Sequence, residues 1–491
     1  MLSTITPEQA GISSKTVQRF LKTLNRRGLV THSVLLMKGN DIFAESYWAP
    51  FTREKTHRMY SQTKSYVGVA IGLLEEDGLI SLDDRIADHF PEKIDKELSP
   101  YQKELTIRQM LTMSTSGKTA RWFTHTDPDR THLYFNDTNA SIPTGMRYRY
   151  DSAGSQVLSS LVEKKTGKSL FDFLNERIFR HIGAFETATI LKTPNGDSWG
   201  DSALVCTTRD MATFARFVMN YGTWNGVRLM NENYLRTATG RVVDNQANSF
   251  DTYYTQGYGY QIWRVPDGFS FRGMGCQYTM CLPEKDLIFV ITSDNQGLDG
   301  AADLILSAFY EIIVDEMGEE PLPEDKASYD ALCAYSETLA IPSATGLETS
   351  AFQKELSGKV YSCETNAAGI TRFSFVFGEN GEGEFRYTNE QGDKILPFGI
   401  NKNVFTKFPQ LGYPNERGRV PTEDGFRYDC ASSVAWREEK KLVLRVQVID
   451  RYLGNLFAVF SFRDDIATVT MQKKAEAFLE EYQGEFVAKR Q

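Results

Sequence analysis

Ser61-Gln62-Thr63-Lys64-Ser65-Tyr66-Val67-Gly68-Val69-Ala70-Ile71-Gly72-Leu73-Leu74 is the stretch from which the rest of the chain can be read outward. Val67, Ala70, Ile71 and Leu74 recur at three- and four-residue intervals, the spacing of one buried helical face. Asp77-Gly78 is a usual helix stop, so the pattern predicts a helix that opens at Ser61. Lys64 then lies one turn further along, on the face of the serine. A cation at a helix N-terminus opposes the macrodipole, and burial favours the neutral amine. An amine within reach of a hydroxyl is what nucleophilic catalysis by serine needs.

Before this stretch, Pro7-Glu8 opens a first helical region whose stripe is Val17, Phe20, Leu21 and Leu24 and whose stop is Gly28. Two strands, residues 33–38 and 42–47, come next around the turn Gly39-Asn40-Asp41. After it, residues 107–113 are helical, whereas residues 118–149 show little periodicity and read as a long loop. Its Trp122, Phe123, His125, His132, Tyr134 and Phe135 either line a substrate pocket or pack the loop onto the body. A helix carrying Val157, Leu158, Leu161 and Val162 ends at Gly167, with more helix over 170–179 and 209–220. Residues 257–265, 269–282 and 287–292 are strand-like, and 301–314 form an amphipathic helix.

The composition changes after about Asp315. Residues 319–324 are a charged, proline-containing break, residues 330–339 read as a short helix, and from Gly358 short alternating runs succeed one another between Gly, Asn and Asp turns. Such runs predict a sandwich or barrel, with residues 473–482 as a terminal helix. The expected organisation is a domain over 1–318, a linker over 319–350 and a β-rich domain over 351–491.

The 491 residues, 41% hydrophobic and 24% charged, are those of an ordinary globular protein. A net charge of -9 argues against nucleic acid or an anionic membrane as a partner. No apolar run is long enough to span a bilayer, and the first ten residues lack the core of a signal peptide. Six cysteines without CxxC spacing fit buried thiols in a reducing compartment, so a cytoplasmic location is expected, without metal or other cofactor. The oligomeric state has no signature in the sequence.

Several strings imitate catalytic motifs. Gly196-Asp197-Ser198-Trp199-Gly200 spells a nucleophile elbow but lacks the flanking strand and helix that motif requires. Lys165-Thr166-Gly167 ends a helix, and Ser293-Asp294-Asn295 comes after a strand late in the domain, so both read as a cap and a turn. The six histidines form no HExxH.

Ser61-Gln62-Thr63-Lys64 gains meaning from the motifs that stand after it in order. Pro143-Thr144-Gly145 leads to Tyr150-Asp151-Ser152 and a helix, and residues 110–117, 208–212 and 222–226 add further signatures. As a set, over residues 5 to 315, these resemble the serine β-lactamase and penicillin-binding protein superfamily, in particular the class C β-lactamase-like branch with its esterase, D-aminopeptidase and amide-hydrolase relatives. The resemblance implies an α+β fold, an antiparallel sheet flanked by helices with an all-helical subdomain, beside the C-terminal all-β domain. It implies Ser61 as nucleophile, Lys64 and Tyr150 as proton carriers, and an oxyanion hole from the backbone N–H groups of Ser61 and Met274. Ser152 would donate a hydrogen bond to Lys64 or the substrate. The third motif falls at Phe271-Arg272-Gly273, with Gly275 an alternative anchor, and these residues would bind substrate. That motif lacks its lysine, which argues against efficient β-lactam hydrolysis. The function implied is a serine hydrolase of a small ester or amide, D-amino-acid peptides included. The alternatives are β-lactamase or penicillin-binding activity, and a ligand-binding protein that keeps the fold without turnover.

Overall fold

The computed structural model describes residues 2–119, 126–245, 253–412, 427–475 and 481–491. The chain divides into two compact units, one reaching Ile341 and the other starting at Pro342.

The first unit is built on a seven-stranded sheet: β1 (Ser3–Thr4), β2 (Thr31–Lys38), β3 (Asp41–Tyr47), β4 (Trp263–Val265), β5 (Gly268–Gly273), β6 (Gln277–Leu282) and β7 (Leu287–Ser293). Their spatial order is β1-β3-β2-β7-β6-β5-β4. The run read as one strand over 269–282 is two strands joined by a turn at 274–276, and the expected strand 257–265 is regular only over β4. All neighbours are antiparallel except β1, which lies parallel to β3, so the sheet is mixed rather than purely antiparallel. Two residues carry no alternation from which such an edge pairing can be read.

Every residue of β7 is buried because helices cover both faces of the sheet. On one side Phe289 meets Phe20 of α1 (Ser14–Arg26) and, at a ring separation of 4.5 Å, Phe309 from the C-terminal helical segment. On the other side Ile288 and Val290 join a large core with Tyr66 of α2 (Thr63–Glu76), α3 (Ser152–Thr166) and α4 (Thr208–Met219).

α2 runs through this core with all residues from Thr63 to Leu74 buried, and Tyr66 stacks on Phe214 of α4 at 4.0 Å. A helix enclosed all round needs close neighbours, and Gly68 provides one. A Cβ there would stand 2.7 Å from the Tyr260 carbonyl oxygen.

α1 starts at Ser14, later than the sequence suggests. Ser13 caps it, and the buried Glu8 carboxylate accepts hydrogen bonds from the Ser14 backbone (2.6 Å) and hydroxyl (2.9 Å). Pro7-Glu8 therefore supplies a cap from outside the helix instead of its first turn. The helix expected over 330–339 is α5 (Lys326–Glu337), held to α1 by Gln18 on the Ala331 carbonyl and Asn25 on the Tyr335 hydroxyl. Of the six free cysteines, Cys333 on α5 is exposed and Cys363 half-buried, so burial does not extend to all of them.

The described part of 118–149 is more ordered than a loop. Gly117–Thr119 pairs with Thr138–Ala140, and Arg130–Asp137 is helical. Tyr134 and Phe135 enter the core, which decides for packing over pocket lining at those two positions. Trp122, Phe123 and His125 lie outside the described residues. His132 sits between two carboxylates, Nδ1 on Asp127 and Nε2 on Asp95 at 2.7 Å, which raise its pKa above the usual imidazole value.

The second unit is a barrel: β8 (Val360–Cys363), β9 (Arg372–Phe377), β10 (Glu382–Asn389), β11 (Gly392–Ile400), β12 (Val404–Lys407), β13 (Asp429–Glu438), β14 (Lys441–Ile449), β15 (Leu453–Arg463), β16 (Ile466–Ala475) and β17 (Gly484–Arg490). Nine strands close into a ring where Gly399 and Ile400 of β11 run parallel to Ser433 and Val434 of β13, and β12 pairs with β13. Closure removes free sheet edges. Phe373, Phe375, Phe385 and Phe460 meet inside, with Phe460 4.9 Å from Phe375 and 5.2 Å from Phe373. Residues 473–475, expected to start a terminal helix, finish β16, whose pairing with β15 runs to Ala475 opposite Gly454. Residues 476–480 lie outside the described residues.

These contacts have two measurable outcomes. Removing the Phe460 ring from the barrel leaves a cavity, so Phe460→Ala should lose about 3–5 kcal/mol in urea unfolding monitored by near-UV circular dichroism. His132 should contribute stability that is complete below its unfolded pKa of about 6.5 and lost as pH rises through its higher folded value. Thermal melts should therefore show wild type ahead of His132→Gln in mild acid, with the gap closing in mild alkali; a gap that widens with pH would contradict the pairing.

Candidate active site

Ser61 is presented by a short 3-10 turn, Tyr60–Gln62, and the regular helix begins at Thr63, two residues after the expected start. Tyr60 adopts φ 49°, a left-handed conformation that non-glycine residues rarely hold unless their surroundings impose it. Here the surroundings do so. Strand His57–Arg58 pairs with Leu204–Cys206, and the Met59 N–H donates to the Leu204 carbonyl at 2.8 Å. The Thr63 hydroxyl donates to the Tyr60 carbonyl at 2.6 Å and accepts from the Leu204 N–H at 2.9 Å. Arg58, fully buried, donates Nε to the Ser202 carbonyl and lies over the rings of Tyr60 (4.6 Å) and Trp199 (5.0 Å). The turn is thus clamped from both flanks, and its serine is half-buried.

Lys64 is 1% exposed and donates from Nζ to Ser61 Oγ at 2.9 Å and to the Asp201 main-chain carbonyl at 2.5 Å. The Asp201 carboxylate stands 3.9 Å from the same nitrogen. The Tyr150 ring lies 5.1 Å from Nζ, half-buried and stacked on Trp263 at 5.7 Å. Tyr148, two residues earlier, is instead buried in a cluster with Met113 and Tyr258. The structure therefore brings Ser61, Lys64 and Tyr150 together and leaves Tyr148 in a packing role.

The other expected site residues divide. Gly273 touches the serine turn, since a Cβ there would be 2.1 Å from the Met59 carbonyl oxygen. That contact brings the turn after β5, with Met274 37% exposed, alongside Ser61. Phe271 is fully buried in the core against Tyr66 and Phe214 and offers no surface to a substrate. Arg272 points to the opposite face of the strand, as alternation requires. Its Nε donates to Ser270 Oγ at 2.8 Å, one Nη to the Tyr253 carbonyl at 2.5 Å, and its guanidinium covers the Tyr254 ring at 4.3 Å. Only 5% of it is exposed, so it is engaged in an aromatic cage and not offered as a surface cation. Ser152 opens α3 behind its cap Asp151, while the hydrogen bonds of Lys64 go to Ser61 and Asp201 in its place.

Sequence reasoning missed Asp201. It stands just after the elbow-like string, 137 positions from Lys64, with no periodicity to mark it. Burial pushes its carboxyl upward while Lys64, Arg130 and Arg58 pull it down, with a net rise. Asp151, the other buried acid near Lys64, is also raised by burial. The imitation motifs are structural. Ser198 is buried, with its N–H donating to Glu163 and its hydroxyl accepting from Lys192. Gly167 is the left-handed cap of α3, and Asn295 accepts from the Val30 N–H at 2.8 Å. Among the described residues, no three His, Cys, Asp or Glu side chains gather in a way that could hold a metal, and no helix is long and apolar enough to cross a membrane.

Comparison with known proteins bears on this arrangement. The 6-aminohexanoate-dimer hydrolase of Paenarthrobacter ureafaciens is 25% identical over 222 residues, 42% of this chain and 56% of that protein. Penicillin-binding protein 4* of Bacillus subtilis (strain 168) is 28% identical over 192 residues, 35% of this chain and 41% of that one. The matches thus span about half the length of these relatives. In fold, the octameric penicillin-binding protein homologue from Pyrococcus abyssi aligns over 96% of this chain and 99% of its own, with a TM-score of 0.50 at 15% identity. The β-lactamase family model matches residues 14–309, which hold Ser61, Lys64, Tyr150 and all of the central sheet but β1, and the chain belongs to that family.

Proposed function

We propose that the protein is a serine hydrolase that cleaves a small ester or amide through an acyl-enzyme on Ser61. The observation that carries this reading is the 2.9 Å contact between Lys64 Nζ and Ser61 Oγ inside a buried site, with the Tyr150 ring beside the same nitrogen. In its amine form Lys64 accepts the hydroxyl proton as Ser61 Oγ bonds to the substrate carbonyl carbon. The carbonyl electron pair moves onto oxygen, where the backbone N–H groups of Ser61 and Met274 receive it. As the tetrahedral intermediate collapses, the bond to the leaving group breaks and Tyr150 delivers its proton, replenished from Lys64. Water then attacks the acyl-enzyme by the same steps in reverse roles, releasing the acid and free Ser61.

The surroundings of the serine point to the substrate class. No lysine occurs between Gly268 and Cys276, and Arg272 is already engaged by Ser270 and Tyr253. A β-lactam carboxylate therefore finds no free cation on this strand. That favours esters and amides without such a carboxylate, D-amino-acid peptides with a blocked C-terminus included, over β-lactams. The 6-aminohexanoate-dimer hydrolase among the relatives is named for a dimer of an amino acid, which agrees with cleavage of an amide.

A fluorophosphonate probe should label wild type on Ser61 and leave Ser61→Ala unlabelled; equal labelling of the two would sink the proposal. Tyr150→Phe should lower turnover of p-nitrophenyl esters by about 10²- to 10⁴-fold with a smaller change in KM. Chromogenic cephalosporin should be hydrolysed far more slowly than the esters.

A further inference from the structure

Lys64 shares its dry pocket with more charge than the proposed chemistry uses. Three cations, Lys64, Arg58 and Arg130, are 1%, 0% and 3% exposed. Arg58 comes from the strand that precedes the serine turn, and Arg130 opens the helix Arg130–Asp137. Asp201 is 1% exposed and faces all three. The other charged or titratable groups around the lysine are Asp151, at the start of α3, and Tyr150. A buried cation is costly unless it is paired and hydrogen-bonded.

Asp201 meets Lys64 twice. Its main-chain carbonyl accepts from Nζ at 2.5 Å, and its carboxylate stands 3.9 Å from the same atom. The carbonyl alone would satisfy one hydrogen of the amine whatever side chain stood at this position. The carboxylate, at 3.9 Å, adds a Coulombic attraction to the same nitrogen. We propose that Asp201 is the positioning residue of Lys64, its carboxylate holding the amine in the pose from which it reaches Ser61 Oγ. The inference rests on the serine-hydrolase reading of the site. Asp201 bears on the chemistry through its contacts with Lys64 Nζ, not through Ser61.

One consequence separates this role from packing. Losing the carboxylate should misplace the amine, and a displacement of about 1 Å at a reacting group can cost on the order of 100-fold in rate while substrate binding is left in place.

The test uses the full chain with Asp201→Asn, which keeps shape, and Asp201→Ala, which keeps only the carbonyl. Both are assayed on p-nitrophenyl butyrate, with fluorophosphonate labelling to count competent serines and thermal melts to report folding. The expected result is a kcat per competent serine lowered about 10- to 100-fold with a KM changed by less than about threefold, and a kcat largely regained by Asp201→Glu, which restores the charge. An active wild type whose variants keep kcat within about twofold overturns the positioning role alone, whatever their melting temperatures, and so does a loss of kcat that Asp201→Glu does not recover. Variants that fail to fold count against it unless Asp201→Glu folds and regains kcat. A wild type that neither labels on Ser61 nor turns over ester overturns the serine-hydrolase reading, and this inference with it.

Discussion

The first unit is arranged around a lysine taken out of water. Lys64 sits on a helix whose residues from Thr63 to Leu74 are all buried, at 1% exposure. A charged or strongly polar amine in that position demands partners, because burial without them costs several kcal/mol. One partner is local, Ser61 from the preceding turn, and the other, Asp201, comes from a distant segment just before Leu204–Cys206. Satisfying one nitrogen therefore ties together the serine turn and the segment that runs past it.

The same constraint explains the strain stored beside Ser61. Tyr60 at φ 49° bends the chain so that Ser61 faces Lys64, instead of continuing the strand His57–Arg58. A conformation of this kind costs of order 1–3 kcal/mol and persists only where neighbours over-determine it. Thr63, Leu204 and Arg58 hold the turn on its inner side, and Gly273 closes on it from β5, where any side chain would strike the Met59 carbonyl. Tyr150 is fixed independently by its stack on Trp263. The site is assembled from rigid elements that hold Ser61 and Lys64 at hydrogen-bond distance, as the proposed acyl transfer would require.

The second unit solves a different problem. Strands such as β9, β10 and β15 alternate buried and more exposed residues, and closing the ring lets them bury one face against one another, while β13 and β14 are buried along most of their length. Phe373 and Phe375 are buried on β9, alternating with the more exposed Arg372, Ser374 and Val376, and the aromatic cluster lies inside. Among the described residues, two parallel pairs, at Gly399 and Ile400, join β11 to β13.

Local periodicity by itself determined a good deal: the helix after Ser61, the strands β2, β3 and β7, α3 with its glycine cap, and the many short strands of the second unit. These are legible because side chains three to four apart on a helix, or two apart on a strand, share an environment. Motif order made Ser61, Lys64 and Tyr150 recognisable as a set. The tertiary structure alone decided that Tyr150 and not Tyr148 faces Lys64, that Phe271 enters the core while Arg272 is caged, and that the second unit closes as a barrel. It alone brought Asp201 to Lys64 across 137 positions, giving the lysine a partner that the motif pattern assigns to Ser152. Such pairings arise from how elements cross in space, and two residues that meet only there share no periodicity, spacing or composition along the chain.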